Sequence, residues 1–131
     1  MTLLMGLVLP SLFQSWQREK TRAALRGLAV ALRAARSEAV TSSYRTRLFL
    51  NLRTGRYWLE RSERGGSLTG LSLADARLVW QNSDKSQGYI AFYGDGSSSG
   101  GQLMLQEASG RKNLLEIKPI TGKVSLRTLR N

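Results

Sequence analysis

The chain has 131 residues, enough for one domain with a core of its own, and contains neither cysteine nor histidine. That excludes disulfides, thiolate metal sites and cysteine nucleophiles, and it removes the commonest general base and transition-metal ligand. Its 20 Lys and Arg against 9 Asp and Glu give +11, distributed as +4, +4 and +3 over residues 1–43, 44–83 and 84–131. A polyanionic partner fits that balance, while the even spread favours a solvated basic surface over one dedicated patch.

The first forty residues predict one continuous helix of two characters. Leu3, Leu4, Met5, Leu7, Val8, Leu9, Leu12 and Phe13 leave no polar face, so this end needs covering all round by lipid or by packed neighbours. Pro10 lies inside the run; it removes a backbone donor and clashes with the preceding turn, so it is expected to bend the helix or mark its start. On run length alone a short buried helix starting at Pro10 fits better than a membrane span, which needs about 20 apolar residues. Met1 and Thr2 offer no basic n-region and no small-residue cleavage site follows the run, so the pattern of a cleavable secretory signal is not met. From Thr21 onward Leu25, Leu28, Ala29, Leu32, Ala35, Ala39 and Val40 recur at three-and-four spacing. They predict one buried face, with Arg22, Arg26, Arg33 and Arg36 projecting elsewhere.

At Thr41-Ser42-Ser43 the period changes to two. Tyr44, Thr46, Leu48, Leu50 and Leu52 alternate with Arg45, Arg47, Phe49, Asn51 and Arg53, which predicts a strand with one apolar face. Thr54-Gly55 joins it to residues 56–61 in a tight hairpin. Residues 62–73, with Gly65, Gly66 and Gly70, read as a mobile surface loop, and residues 76–80 as a short third strand. Residues 89–93 are a fourth strand, rich in side chains that suit a half-buried pleat. Residues 94–101 lack apolar side chains and are expected to connect rather than pack. Residues 102–106, 113–118 and 123–129 complete about seven short strands, with Val124, Leu126 and Leu129 toward the core. This order is that of an α+β fold, a helix (residues 1–43) segregated against an antiparallel meander (residues 44–131).

Chemistry-bearing constellations are sparse. Asp95 between glycines invites a calcium reading, but one carboxylate supplies too few ligands and the Asp-x-Asp spacing is missing, so a turn is the better assignment. A phosphate cradle at residues 94–101 lacks the helix N-terminus that would face the anion. Ser97, Ser98 and Ser99 have no histidine to activate them and only Lys85, Lys112, Lys118 or Lys123 as conceivable bases, so flexible loop serines are expected. Glu60 and Glu116 read as outward strand carboxylates, not an acid and base pair. No catalytic residue, metal or cofactor follows. Arg111, Lys112, Lys118, Lys123, Arg127 and Arg130 lie in the last two strands and their turns, and on one face they could track a phosphate backbone. Tyr57, Trp58 and Trp80 could stack on bases, although core or sheet packing is their commoner role.

Four stretches stand in a telling order: Leu9-Pro10-Ser11-Leu12; the helix end Leu32-Arg33-Ala34-Ala35-Arg36-Ser37-Glu38-Ala39-Val40; Ile90-Ala91-Phe92-Tyr93-Gly94-Asp95-Gly96-Ser97-Ser98-Ser99-Gly100-Gly101; and Ile120-Thr121-Gly122-Lys123-Val124. Together they resemble the GspH/FimT family of minor pseudopilins, the type II secretion and type IV pilus proteins, over nearly the whole chain. The resemblance implies a pilin-like fold, a long N-terminal helix packed on an antiparallel β-rich body, and a structural role without cofactor. It implies that residues 1–13 are the remnant of a membrane-spanning half, with Leu3, Leu4, Leu7, Val8, Leu9, Pro10, Leu12 and Phe13 as membrane and assembly contacts. Residues 14–41 would be the amphipathic half and residues 44–131 a periplasmic body. In this family the proline sits within a span that follows a prepilin-peptidase site of the Gly-Phe-Thr-Leu-x-Glu kind. No such motif precedes Leu3, so the sequence is expected to begin partway through the span. The implied partners are other pseudopilins or minor pilins and the bacterial inner membrane, crossed once, with the loops at residues 62–73 and 94–101 as variable contact surfaces. The implied function is that of a type II secretion pseudopilus subunit. The alternative is a type IV pilus minor pilin that binds DNA without sequence preference for natural transformation, through Arg111, Lys112, Lys123, Arg127 and Arg130.

Overall fold

The structure, a computed structural model, describes residues 2–62, 64–68 and 70–129, with backbone alone for residues 2–18. Helix α1 (Thr2–Ser42) runs unbroken through Pro10, so the proline does not mark its start. Ala, Leu and Arg, the strongest helix formers, fill its second half. It ends where Ser43 takes a left-handed backbone angle, φ 61°, the conformation that closes many helices. The Ser42 hydroxyl accepts the Tyr44 amide at 3.2 Å just beyond.

Nine strands follow among the described residues: β1 (Thr46–Asn51), β2 (Arg56–Leu59), β3 (Gly65–Ser67), β4 (Leu71–Arg77), β5 (Val79–Trp80), β6 (Gln87–Phe92), β7 (Gly101–Glu107), β8 (Lys112–Ile117) and β9 (Val124–Leu129). They form two antiparallel sheets, sheet A in the order β3-β2-β1-β6-β5 and sheet B in the order β4-β7-β8-β9. Both close on one core. From α1 it takes Leu25, Leu28, Ala29, Leu32, Ala35 and Ala39; from sheet A, Leu48, Leu50, Leu59, Ile90 and Phe92; from sheet B, Leu103, Leu105, Leu115, Ile117 and Val124. The α+β architecture and the helical face are those that the spacing predicts.

Several details differ from the sequence expectations. Residues 62–73 are not simply a loop: β3 pairs with β2, β4 begins at Leu71, and Leu68 between them is buried. The expected strand at residues 76–80 is divided at Leu78, its first part pairing with β7 in sheet B and its second with β6 in sheet A. The chain is therefore not a plain meander. Val40 is 44% exposed, because one residue past Ala39 turns a side chain about 100° away from the buried stripe. Leu129 shares the pleat of Lys112, its partner in β8, and not that of Leu126 opposite the buried Leu115, so it faces away from the core.

Candidate functional site

The surface at the far end of α1 is built around Arg36. Its Nε donates to the carbonyls of Gly96 and Thr121, each at 3.2 Å, and Arg33 reaches the Val124 carbonyl at 3.4 Å. Two of the arginines expected to project from the helix therefore clamp it, Arg36 to the β6–β7 and β8–β9 connections and Arg33 to the first residue of β9. Residues 94–101 are correspondingly packed. Gly96, Ser98 and Gly100 are buried. The Ser98 hydroxyl donates to the Lys118 carbonyl at 2.9 Å and accepts the Gly100 amide at 3.0 Å, while the Ser98 amide donates to Pro119 at 2.7 Å. The expectation of a connecting loop with flexible serines is corrected, because its small side chains allow close approach to the β8–β9 turn. Asp95 makes the expected turn: its Oδ1 accepts the Ser97 hydroxyl at 2.6 Å and amide at 3.0 Å, which hold the carboxyl below the usual range.

On the outer face of sheet A, β2, β1 and β6 set Trp58, Phe49 and Tyr89 in one cross-strand row. Phe49 stacks on Trp58 at 5.6 Å between centroids and meets Tyr89 edge-on at 5.8 Å. Arg47 lies over Phe49 and Tyr89 at 4.9 and 5.2 Å and grips Glu60 with two nitrogens at 2.8 and 3.1 Å. The bonds from Arg47 hold the Glu60 carboxyl below its ordinary range and raise the guanidinium. Tyr57, by contrast, is buried under β3, and that burial pushes its hydroxyl up.

The basic residues of the last two strands do not all share one face. Lys112 and Arg127 stand diagonally across the β8–β9 pair on the outer face of sheet B, beside Leu114 and Leu129. Arg111 sits in the β7–β8 turn and joins Arg22 and Arg26 of α1 around one surface depression. Lys118 and Lys123 flank the β8–β9 turn at the opposite end of β8, and Arg130 lies outside the described residues. Arg22 and Arg26 were not among the candidates, since nothing in a linear reading joins them to a residue 85 positions or more away. The apolar positions 3–13 fall where the backbone alone is described.

Against known proteins, the family model of the type II transport protein GspH matches residues 24–119. The minor pseudopilin EpsH of the Vibrio cholerae type 2 secretion system is similar in fold at 13% identity, covering 83% of this chain and 95% of its own, with TM-score 0.59. Two crystal forms of the type IV minor pilin FimU of Pseudomonas aeruginosa PAO1 are each 15% identical, with TM-scores of 0.60 and 0.61. They cover 81% and 84% of this chain and 91% and 90% of theirs. No curated protein matches the chain. The family match spans the second half of α1 and all but the last hairpin arm of the body, and the two-sheet fold agrees with both pilin-type neighbours, so the chain belongs to the GspH family of minor pseudopilins.

Proposed function

We propose that the chain is a structural subunit of a type II secretion pseudopilus, anchored in the bacterial inner membrane by the start of α1, with its body in the periplasm. The observation that carries this reading is the continuity of α1: one helix begins with a run lacking any polar face and ends clamped into the core of the body. Among the described residues no helix is long and apolar enough to cross a membrane. On this reading residues 3–13 supply part of a span and later pack among the helices of other subunits. Transfer to such surroundings is worth ~0.8 kcal/mol per buried CH₂. Work is done by assembly, not by bond chemistry. Deleting the gene in the source bacterium tests it: loss of an exported enzyme from the medium, with surface pili intact, supports the secretion role, and the reverse pattern assigns the chain to a pilus.

A second reading, a minor pilin that holds DNA, is favoured by the placement of Lys112 and Arg127 together on the outer face of sheet B. Among the described residues neither forms an ion pair. Gel-shift titration with duplexes of unrelated sequence tests it. Binding that Lys112→Gln with Arg127→Gln weakens, and whose salt slope falls by about one unit per lost phosphate contact, supports this reading. Absence of binding at micromolar protein in low salt removes it.

A further inference from the structure

The end of the body nearest the apolar start of α1 carries an arginine cluster assembled from two distant parts of the chain. Arg22 and Arg26 lie one turn apart on α1, and the β7–β8 turn brings Arg111 beside them around a depression of about 340 Å³. Arg22 and Arg111 also line an adjoining hollow of about 240 Å³ with Thr21 and Gly70. All three guanidinium-bearing residues are exposed, and among the described residues none forms an ion pair. The one carboxylate lining the depression, Glu107, accepts the Asn113 side-chain amide at 3.0 Å, and Asn113, only 3% exposed, accepts the Thr128 hydroxyl at 3.0 Å. Glu107 is thus engaged from beneath, and three cations face one anion.

The height of this cluster on the helix selects its ligand. At 1.5 Å per residue, Arg22 stands about 9 Å beyond Trp16 and about 14 Å beyond Phe13. Trp is concentrated at membrane–water boundaries, and the headgroup layer is about 5–7 Å thick on each side of the hydrocarbon. Helical side chains lean toward the helix N-terminus, so the arginines of α1 reach back toward that layer, and Arg111 enters from the turn alongside. We propose that Arg22, Arg26 and Arg111 form a collar that binds the phosphates of anionic phospholipid headgroups and so sets the height of the body over the bilayer. This rests on the membrane-anchoring reading above.

The test is flotation of the full chain, diluted from detergent onto preformed vesicles of phosphatidylcholine alone or with about one third phosphatidylglycerol. The expected result is binding to both, with the anionic vesicles requiring at least about tenfold less lipid. That preference should be lost in the triple variant Arg22→Gln/Arg26→Gln/Arg111→Gln and kept in the charge-matched control Arg45→Gln/Lys118→Gln/Lys123→Gln, whose positions lie at the far end of the body. Circular dichroism melts establish that both variants are folded. Equal binding to both vesicle types overturns the collar while leaving membrane anchoring intact; binding to neither overturns the anchoring and the collar with it. Equal loss in both triple variants reduces the preference to net charge and overturns the collar. If the arginine triple abolishes duplex-DNA binding and leaves flotation unchanged, the cluster serves nucleic acid, and the lipid assignment falls.

Discussion

Arg36 and Gly122 fit each other closely. The Arg36 side chain bonds the carbonyls of Gly96 and Thr121, and the space beside it is open only because Gly122 has no side chain. A Cβ there would overlap the Gly96 carbonyl oxygen and come within 2.9 Å of Arg36 Nε, at a left-handed φ of 67°. Gly122→Ala is therefore expected to cost about 2 kcal/mol or more in urea melts. Arg36→Ala should cost about 1 kcal/mol. Because the nearest obstruction is backbone, Arg36→Ala should not rescue Gly122→Ala; rescue in the double variant would show that the arginine side chain alone is in the way.

Leu28 and Leu32 are fully buried in the core that α1 shares with both sheets. Leu28→Ala or Leu32→Ala is expected to lower stability by about 2–5 kcal/mol, whereas Arg26→Ala on the exposed side should change it by less than about 0.5 kcal/mol. Denaturant midpoints with unchanged slopes are the readout, and equally mild effects at all three positions would contradict the buried face.

The Arg47–Glu60 pair gives an acid signature. The guanidinium lowers the Glu60 carboxyl below its unfolded value, which is about 4.3. A depressed carboxyl stabilises the fold above that unfolded value, and the contribution is lost as pH falls through the folded one. Glu60→Gln should accordingly lower the melting temperature at pH 7 by about 3–5 °C, equivalent to about 1 kcal/mol for a partly exposed pair. Below about pH 4 the gap between the two proteins should narrow. A gap independent of pH would assign the effect to the neutral hydrogen bonds.

Removing residues 2–13 should leave the melting transition of the body nearly unchanged, because the α1 residues of the core, among the described side chains, run from Leu25 to Ala39. The same deletion should abolish vesicle flotation. Loss of the cooperative melt would instead place the apolar run in the core.

Much of this architecture can be read from local pattern, and the remainder has identifiable causes. The stripe from Leu25 to Ala39 and the alternation at Thr46, Leu48 and Leu50 announce themselves because a single element's periodicity encodes which side is buried. Strand β3 does not, since Gly65 and Gly66 carry no side chain to show a period. They are small because Tyr57 lies against them, where a Cβ at either would overlap its carbonyl oxygen or ring. The division at Leu78 is hidden because β5 is only two residues long and a register shift between Leu73 and Asp75 interrupts the alternation of β4. The clamp by Arg33 and Arg36 and the meeting of Arg22 with Arg111 join residues 60 to 91 positions apart, which no linear spacing discloses.

The change of sheet at Leu78 also orders events in time. Strand β4 cannot pair until β7 has emerged, and β1, which pairs early with β2, gains its second neighbour only when β6 arrives. Pairings this distant in sequence close slowly. While the chain is being made, the buried stripe of α1 therefore has no finished surface to lie against until residues beyond Glu107 arrive. During that interval the helix is a bare amphipathic rod, exposed to mispairing with other chains. A protein of this design gains its protected form only when its last hairpin shuts over it.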